Sequence, residues 1–195
     1  LIRADWQKMA NRAPLALPDY NSLPAPVFSH AAGFYEEPFM LELTAAAPGA
    51  SIYYTLDGSE PTLRSARYEK PLWVASRKGT PDTYAIIENT SPQWQAPEGE
   101  LFKGNIVRAR VFDQDGQQKS PIVTHTFFVD ENIFQRYTLP VVSLVSQPEN
   151  FFDSTSGIYI MGDIWDINYG KSDVRWLMHP ANYHQAGFAW ERPVH

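Results

Sequence analysis

The chain has 195 residues, of which 44% are hydrophobic, 14% aromatic and only 19% charged, enough apolar material to bury a core and to exclude a disordered tail. A formal charge of −6 and a pI near 5.3 leave no basic footprint for a phosphate backbone, which argues against nucleic acid as a partner. Cysteine is absent, which removes disulfides, thiolate nucleophiles and Cys-ligated metals, and no apolar run reaches the roughly 20 residues of a membrane span.

Residues 1–13 carry Leu1, Ile2, Trp6 and Met9 at a spacing that fits a short helical stub. Pro14, Pro18, Pro24 and Pro26 then force an extended connector. From Pro26 onward the text is β-like. Phe39, Leu41 and Leu43 alternate with Met40, Glu42 and Thr44, the period of a strand with one buried face. Pro48-Gly49 turns the chain, Ser51 to Leu56 reads as the next strand, and Asp57-Gly58 supplies a residue pair suited to a hairpin-type turn.

Residues 68–75 predict a further strand, followed by a polar insertion over 77–104 with Pro81, Pro92 and Pro97. Such a stretch is long for a bare loop, and Tyr84 to Ile87 is expected to form a short strand within it. Val107, Ala109 and Val111 alternate with Arg108 and Arg110, Asp113 to Gly116 turns the chain, and Pro121 to Val129 runs back. Short strands at this spacing predict a mainly β fold, an antiparallel immunoglobulin- or fibronectin-like β-sandwich, with a closed barrel as the alternative. Residues 1–25 are stub and linker, 26–130 the sandwich, 131–138 a connector, and 139–195 the start of a second, α+β domain. That second unit opens on Leu139-Pro140-Val141-Val142-Ser143-Leu144-Val145, a run expected to be a buried strand. Leu1 in place of a start residue, and the apolar-rich text at 190–195, predict a fragment whose Val141, Leu144, Ile158 and Ile160 lack part of their cover.

The stretch Ile52-Tyr53-Tyr54-Thr55-Leu56-Asp57-Gly58-Ser59-Glu60-Pro61-Thr62, with Tyr68-Glu69-Lys70-Pro71-Leu72 and Val107-Arg108-Ala109-Arg110, resembles the small β-sandwich named for the C-termini of chitobiase and β-hexosaminidase. The resemblance covers about 25–130, implies a scaffold without catalytic groups, and marks Tyr54, Asp57, Gly58 and Pro61 as structural. Leu139 to Leu144, Gly157-Ile158-Tyr159 and Trp190-Glu191-Arg192-Pro193 are similar to the opening of a CotH-type kinase domain, the spore-coat kinase family. That likeness marks Gly157, Trp190, Glu191, Arg192 and Pro193 as motif residues. It also implies that the nucleotide and metal ligands lie downstream of the matched segment, so none of them is carried onto this chain.

The residues agree with that inventory. No phosphate-cradling glycine loop occurs, and Lys171, the one lysine of the CotH-like segment, stands in a stretch that reads as a loop. Asp113-Gln114-Asp115-Gly116 resembles the start of a calcium loop but lacks the downstream Glu, and Asp163 and Asp166 read as solvated. His179 and His184, near Asp173, Tyr183 and Glu191, suggest a metal or general-base site without a recognised spacing; packing roles are favoured. Ser143 and Ser156 have no nucleophile-elbow context, and the sequon Asn89-Thr90-Ser91 is followed by Pro92.

Among the aromatics Tyr53, Trp73, Trp94, Trp165 and Trp176, core packing competes with sugar stacking; Trp94 in the polar insertion, and Trp73, are the candidate stacking residues. The sequence therefore predicts no catalytic residue, no metal and no cofactor. It predicts an accessory or spacer sandwich of a secreted or surface bacterial protein, located outside the cell or on the cell or spore surface. Its partners are the downstream domain of the same polypeptide and, as alternatives, a polysaccharide or surface protein. A carbohydrate-binding module is the competing function.

Overall fold

The computed structural model describes residues 22–168 and 179–195. The helical stub at 1–13, Pro14 and Pro18, and Lys171, Asp173 and Trp176 lie outside the described residues.

Strands β1 (Val27–Phe28), β2 (Gly33–Tyr35), β3 (Phe39–Leu41), β4 (Leu43–Thr44), β5 (Ser51–Thr55), β6 (Ala66–Arg67), β7 (Leu72–Val74), β8 (Asn105–Phe112) and β9 (Val123–Val129) build two layers. The larger is a five-stranded sheet in the order β2-β9-β8-β5-β6, and the smaller consists of the pairs β1-β4 and β3-β7. The predicted strand at 39–44 is divided at Glu42. Its first half pairs with β7 and its second with β1, while Ser29 binds Glu42 twice, donating N–H to its carbonyl (2.9 Å) and accepting its N–H on Oγ (2.8 Å). The alternation survives the division, because Leu41 and Leu43 both point inward.

Facing them from the five-stranded sheet are Ile52, Val107, Ala109, Val111, Phe127 and Val129, which with Val74 complete the buried core. Each of these side chains except Ala109 contributes about 1.5–3 kcal/mol of burial. Aromatic packing closes one end: the Phe39 ring lies 5.5 Å from Phe127 and 4.5 Å from Tyr35, and His30 stacks on Phe39 at 4.1 Å.

Several expectations are corrected. The fold is mainly β in two layers, but its pairing is mixed, since β2 runs parallel to β9 while the other strand pairs are antiparallel. The 68–75 segment changes layers: Tyr68 still donates to the Ile52 carbonyl at 2.8 Å, and Leu72–Val74 then joins β3, with Pro71 at the crossing. Tyr84 to Ile87 is a turn closed by Ile87 N–H on the Tyr84 carbonyl, not a strand, and the Tyr84 side chain is committed to Asp57 and Phe152.

Beyond β9 the described residues hold short helices and no strand: α1 (Ile133–Arg136) inside the expected connector, α2 (Pro148–Phe152) and α3 (Gly162–Asn168). The run Leu139 to Val145 is irregular, with Leu139, Val142 and Leu144 exposed and only Val145 buried. Leu144 is left open as expected and Val141 partly so, whereas Ile160 is fully covered.

Candidate functional site

Arg108 lies on the face of β8 that points away from the core, yet it is only 2% exposed. It is covered by the chain beyond the sandwich. Val145 and His195 exchange two backbone hydrogen bonds of 2.8 and 2.9 Å, and Ser146 ties the same two segments together, its hydroxyl donating to the Pro193 carbonyl at 2.6 Å and accepting Asn150 Nδ2 at 2.7 Å. Arg108 Nη1 reaches back to the Gly58 carbonyl at 2.7 Å.

Gly58 itself sits at φ +86°, and a Cβ there would lie 3.2 Å from the Ser146 carbonyl and 3.6 Å from a Val145 methyl. The Asp57-Gly58 turn is therefore where the C-terminal segment touches the sandwich. It is not a tight hairpin, since ten residues, 56–65, separate β5 from β6. Asp57 shapes it by accepting the Ser59 N–H and hydroxyl on Oδ1. Burial alone pushes its carboxyl up, but these bonds, its own backbone N–H and the nearby Arg108 outweigh that and hold it below the ordinary carboxylate value.

The polar insertion completes the junction. It is braced internally by Lys103 on Asp82 at 2.8 Å, and it reaches both neighbours: Tyr84 donates to the Asp57 carbonyl at 2.9 Å, stacks on Phe152 of α2 at 5.3 Å and 8°, and the Asn89 carbonyl accepts the Met161 N–H at 2.8 Å. Under Tyr84, Val145, Phe151, Phe152 and Tyr159 lies an apolar cavity of about 270 Å³. Beside it Arg108, Arg110, Glu60, Asn150 and His195 line a polar cavity of about 220 Å³. Further along the same sheet face, Phe34, Phe128 and Tyr137 pack together, and the Arg136 guanidinium lies 4.5 Å from the Phe102 ring centroid.

The structure thus brings together residues from both resembled motifs. Gly58 meets Val145 and Ser146, Pro193 is bound by Ser146, and Arg192 bonds the Ser156, Ala189 and Glu191 carbonyls with its guanidinium 5.7 Å from the Trp190 ring. Gly157 packs so tightly that a Cβ would meet the Asp153 and Phe151 carbonyls at 2.6 Å. Pro61 is fully buried, and Tyr54 packs against the core.

The candidate sugar-stacking residues stand apart in kind. Trp73 is 63% exposed on the outward side of β7, opposite exposed Met40, while Trp94 is half-buried after the turn at 92–93, its N–H on the Ser91 carbonyl at 3.1 Å. Tyr53 meets Phe112 edge-on at 5.5 Å, and Trp165 is buried in edge contact with His179 at 5.2 Å.

Asp113 closes the β8–β9 hairpin with its carboxylate on the Gln117 N–H at 2.8 Å. Asp163 accepts the Thr155 hydroxyl at 2.8 Å, and His184 Nδ1 lies 2.9 Å from the His179 carbonyl. Ser143 bonds Thr126 at 2.8 Å. Among the described residues no three His, Asp or Glu side chains are placed to hold a metal ion, and no helix is long and apolar enough to cross a membrane.

Sequence reasoning passed over Glu60 as a partner of Arg110 (2.6 Å) and Gln147 (3.3 Å), and over Arg108 and Asn150. The available signal was a pair of arginines inside an otherwise apolar strand.

Residues 41–127 match the family described as Fn3 associated. This span runs from the end of β3 into β9 and supports a fibronectin-associated accessory β domain there. Neither the curated proteins nor the solved structures contain a match to the chain.

Proposed function

We propose that this chain is the non-catalytic accessory β-sandwich, immunoglobulin-like and of the chitobiase C-terminal type, that seats the leading edge of a CotH-like kinase domain in a secreted or surface bacterial protein. The observation that carries this reading is the cover over Arg108: residues 143–146 and 193–195 lie on the sheet's outer face and bind each other there. A spacer joined only by a flexible linker would leave that face to water. The sequence likeness of Leu139 to Leu144, Gly157 and Trp190 to Pro193 supports the kinase identity of the seated segment.

Two measurements test the proposal. Calorimetric titration with ATP and manganese is expected to give no saturable heat, because the described residues present no lysine held against a cluster of metal-binding carboxylates; a micromolar dissociation constant would contradict it. Thermal unfolding is expected to show one cooperative transition that Val145→Asp splits into two, and two transitions in the unaltered chain would remove the seating role.

A second reading rests on Trp73. Its exposed indole beside Met40 offers a flat apolar face to a pyranose ring. Retention on insoluble polysaccharide that Trp73→Ala abolishes would favour a carbohydrate-binding module.

A further inference from the structure

The polar cavity between the outer face of β8 and the seated segment holds more positive charge than its own carboxylate offsets. Arg108 and Arg110 project from the same side of one strand. Glu60 is taken by Arg110 Nη1 at 2.6 Å through Oε1 and by Gln147 Nε2 at 3.3 Å through Oε2. Arg108 forms no ion pair among the described residues; its Nη1 donates to a neutral carbonyl, Gly58, at 2.7 Å. The Nε atoms of both arginines are buried and, among the described residues, have no hydrogen-bond partner.

A guanidinium buried to 2% exposure without a directly bonded carboxylate carries a large desolvation cost, and unmade donors add to it. Such a cost persists in a fold when something compensates it. Burial, opposed by Glu60 and Asp57 and reinforced by Arg110, pushes the Arg108 guanidinium below its ordinary value. Burial together with Arg108 and Arg110, against Glu60, does the same to His195. Both shifts have burial as their largest cause, a cost that an anion at the guanidinium edges would offset.

We propose that this cavity is a binding site for a small oxyanion, a carboxylate or phosphate group, held by the Arg108 and Arg110 guanidinium edges with Asn150 and His195 at its rim. The volume of about 220 Å³ admits such a group with a few attached atoms and excludes a nucleotide. Planar donor forks match carboxylate and phosphate oxygens, which explains arginine rather than lysine at both positions. Because the cavity wall belongs partly to the sandwich and partly to residues 146–150 and 193–195, an anion bound there bridges the two and tightens the seat.

The test is calorimetric titration of the full chain with inorganic phosphate and, separately, acetate, at ionic strength held constant with chloride. At least one of the two is expected to give saturable heat; phosphate alone assigns a phosphate-bearing ligand, acetate alone a carboxylate. Arg108→Gln is expected to weaken that affinity about tenfold or more, as loss of a charge-assisted bond does. His195→Glu places a competing carboxylate at the rim from an exposed position, so the site is also tested without removing a buried side chain. Whether or not Arg108→Gln folds, His195→Glu is expected to fold, to abolish the saturable heat and to raise Tm in the absence of added anion. Arg67→Gln, on the far side of β5, is expected to leave the affinity unchanged. The proposal is overturned if neither anion saturates, or if His195→Glu binds as tightly as the unaltered chain.

Discussion

The two sides of β8 are buried by different means. Inward, Val107, Ala109 and Val111 meet Leu41, Leu43, Ile52 and Phe127 through contacts that have no direction, so any arrangement that excludes water and fills the volume serves. Outward, Arg108 is buried almost as completely, but against the Gly58 carbonyl, Ser146 and the chain at 193–195. There each donor needs an acceptor at a set distance, so a single displaced backbone segment leaves a buried donor without its acceptor. The inner face holds the two layers together; the outer face is the one that residues 143–146 and 193–195 cover.

Substitutions separate the two faces by size of effect. Phe127→Ala is expected to cost about 3–5 kcal/mol in chemical denaturation, through the cavity left beside Tyr35, Phe39 and His125. A loss below about 1 kcal/mol would mean that the layers do not pack on this ring.

Gly58→Val acts at the junction. Positive φ and the 3.2 Å approach to the Ser146 carbonyl predict a loss of about 1–3 kcal/mol. It is also expected to speed limited proteolysis within 139–147 while cleavage of the sandwich stays slow. An unchanged midpoint with unchanged cleavage would remove both the turn geometry and the contact.

Ser146→Ala removes two hydrogen bonds from the seat alone and is expected to cost about 1 kcal/mol, with the near-ultraviolet signal of the core unaltered. The smallest effect is that of pH. His125, at the edge of the inner face against Phe28, is pushed below its ordinary value of 6.5 by burial, against the opposing hydrogen bond from Nδ1 to the His30 carbonyl. The unfolded chain then binds more protons than the folded one. Stability contributed by the neutral ring is therefore full above pH 6.5 and declines as pH falls through the lower folded value. His125→Phe should flatten that slope, and a His125 imidazole titrating above 6.5 by NMR would reverse the sign.

The same division separates the features legible in the sequence from those that were not. The inward residues of β3, β4, β5, β8 and β9 could be read because a strand's period depends only on local geometry. Glu42 shows the limit of that reading: the alternation runs through it unbroken, while the change of pairing partner is decided by Ser29 and β7. Arg108 and Arg110 look like solvent-facing positions in any strand of this pattern, and only the three-dimensional return of residues 145 and 195 buries them. Tyr84 misled in the same way, since an aromatic between polar residues reads as strand, whereas its ring was committed to Phe152 and its hydroxyl to Asp57. Asp57-Gly58 was legible as a turn, but neither the ten-residue span between β5 and β6 nor the contact with Val145 was.

The seating of the 139–195 segment on the outer face is tested most directly by amide hydrogen exchange of the whole chain, read residue by residue. Slow exchange is expected at Val145 and His195, whose amides bind each other's carbonyls, and at Met161, bound to Asn89, together with fast exchange at exposed Leu139 and Val142. Rapid exchange at Val145, Met161 and His195 while β8 and β9 remain protected would show a sandwich that folds without holding the segment behind it.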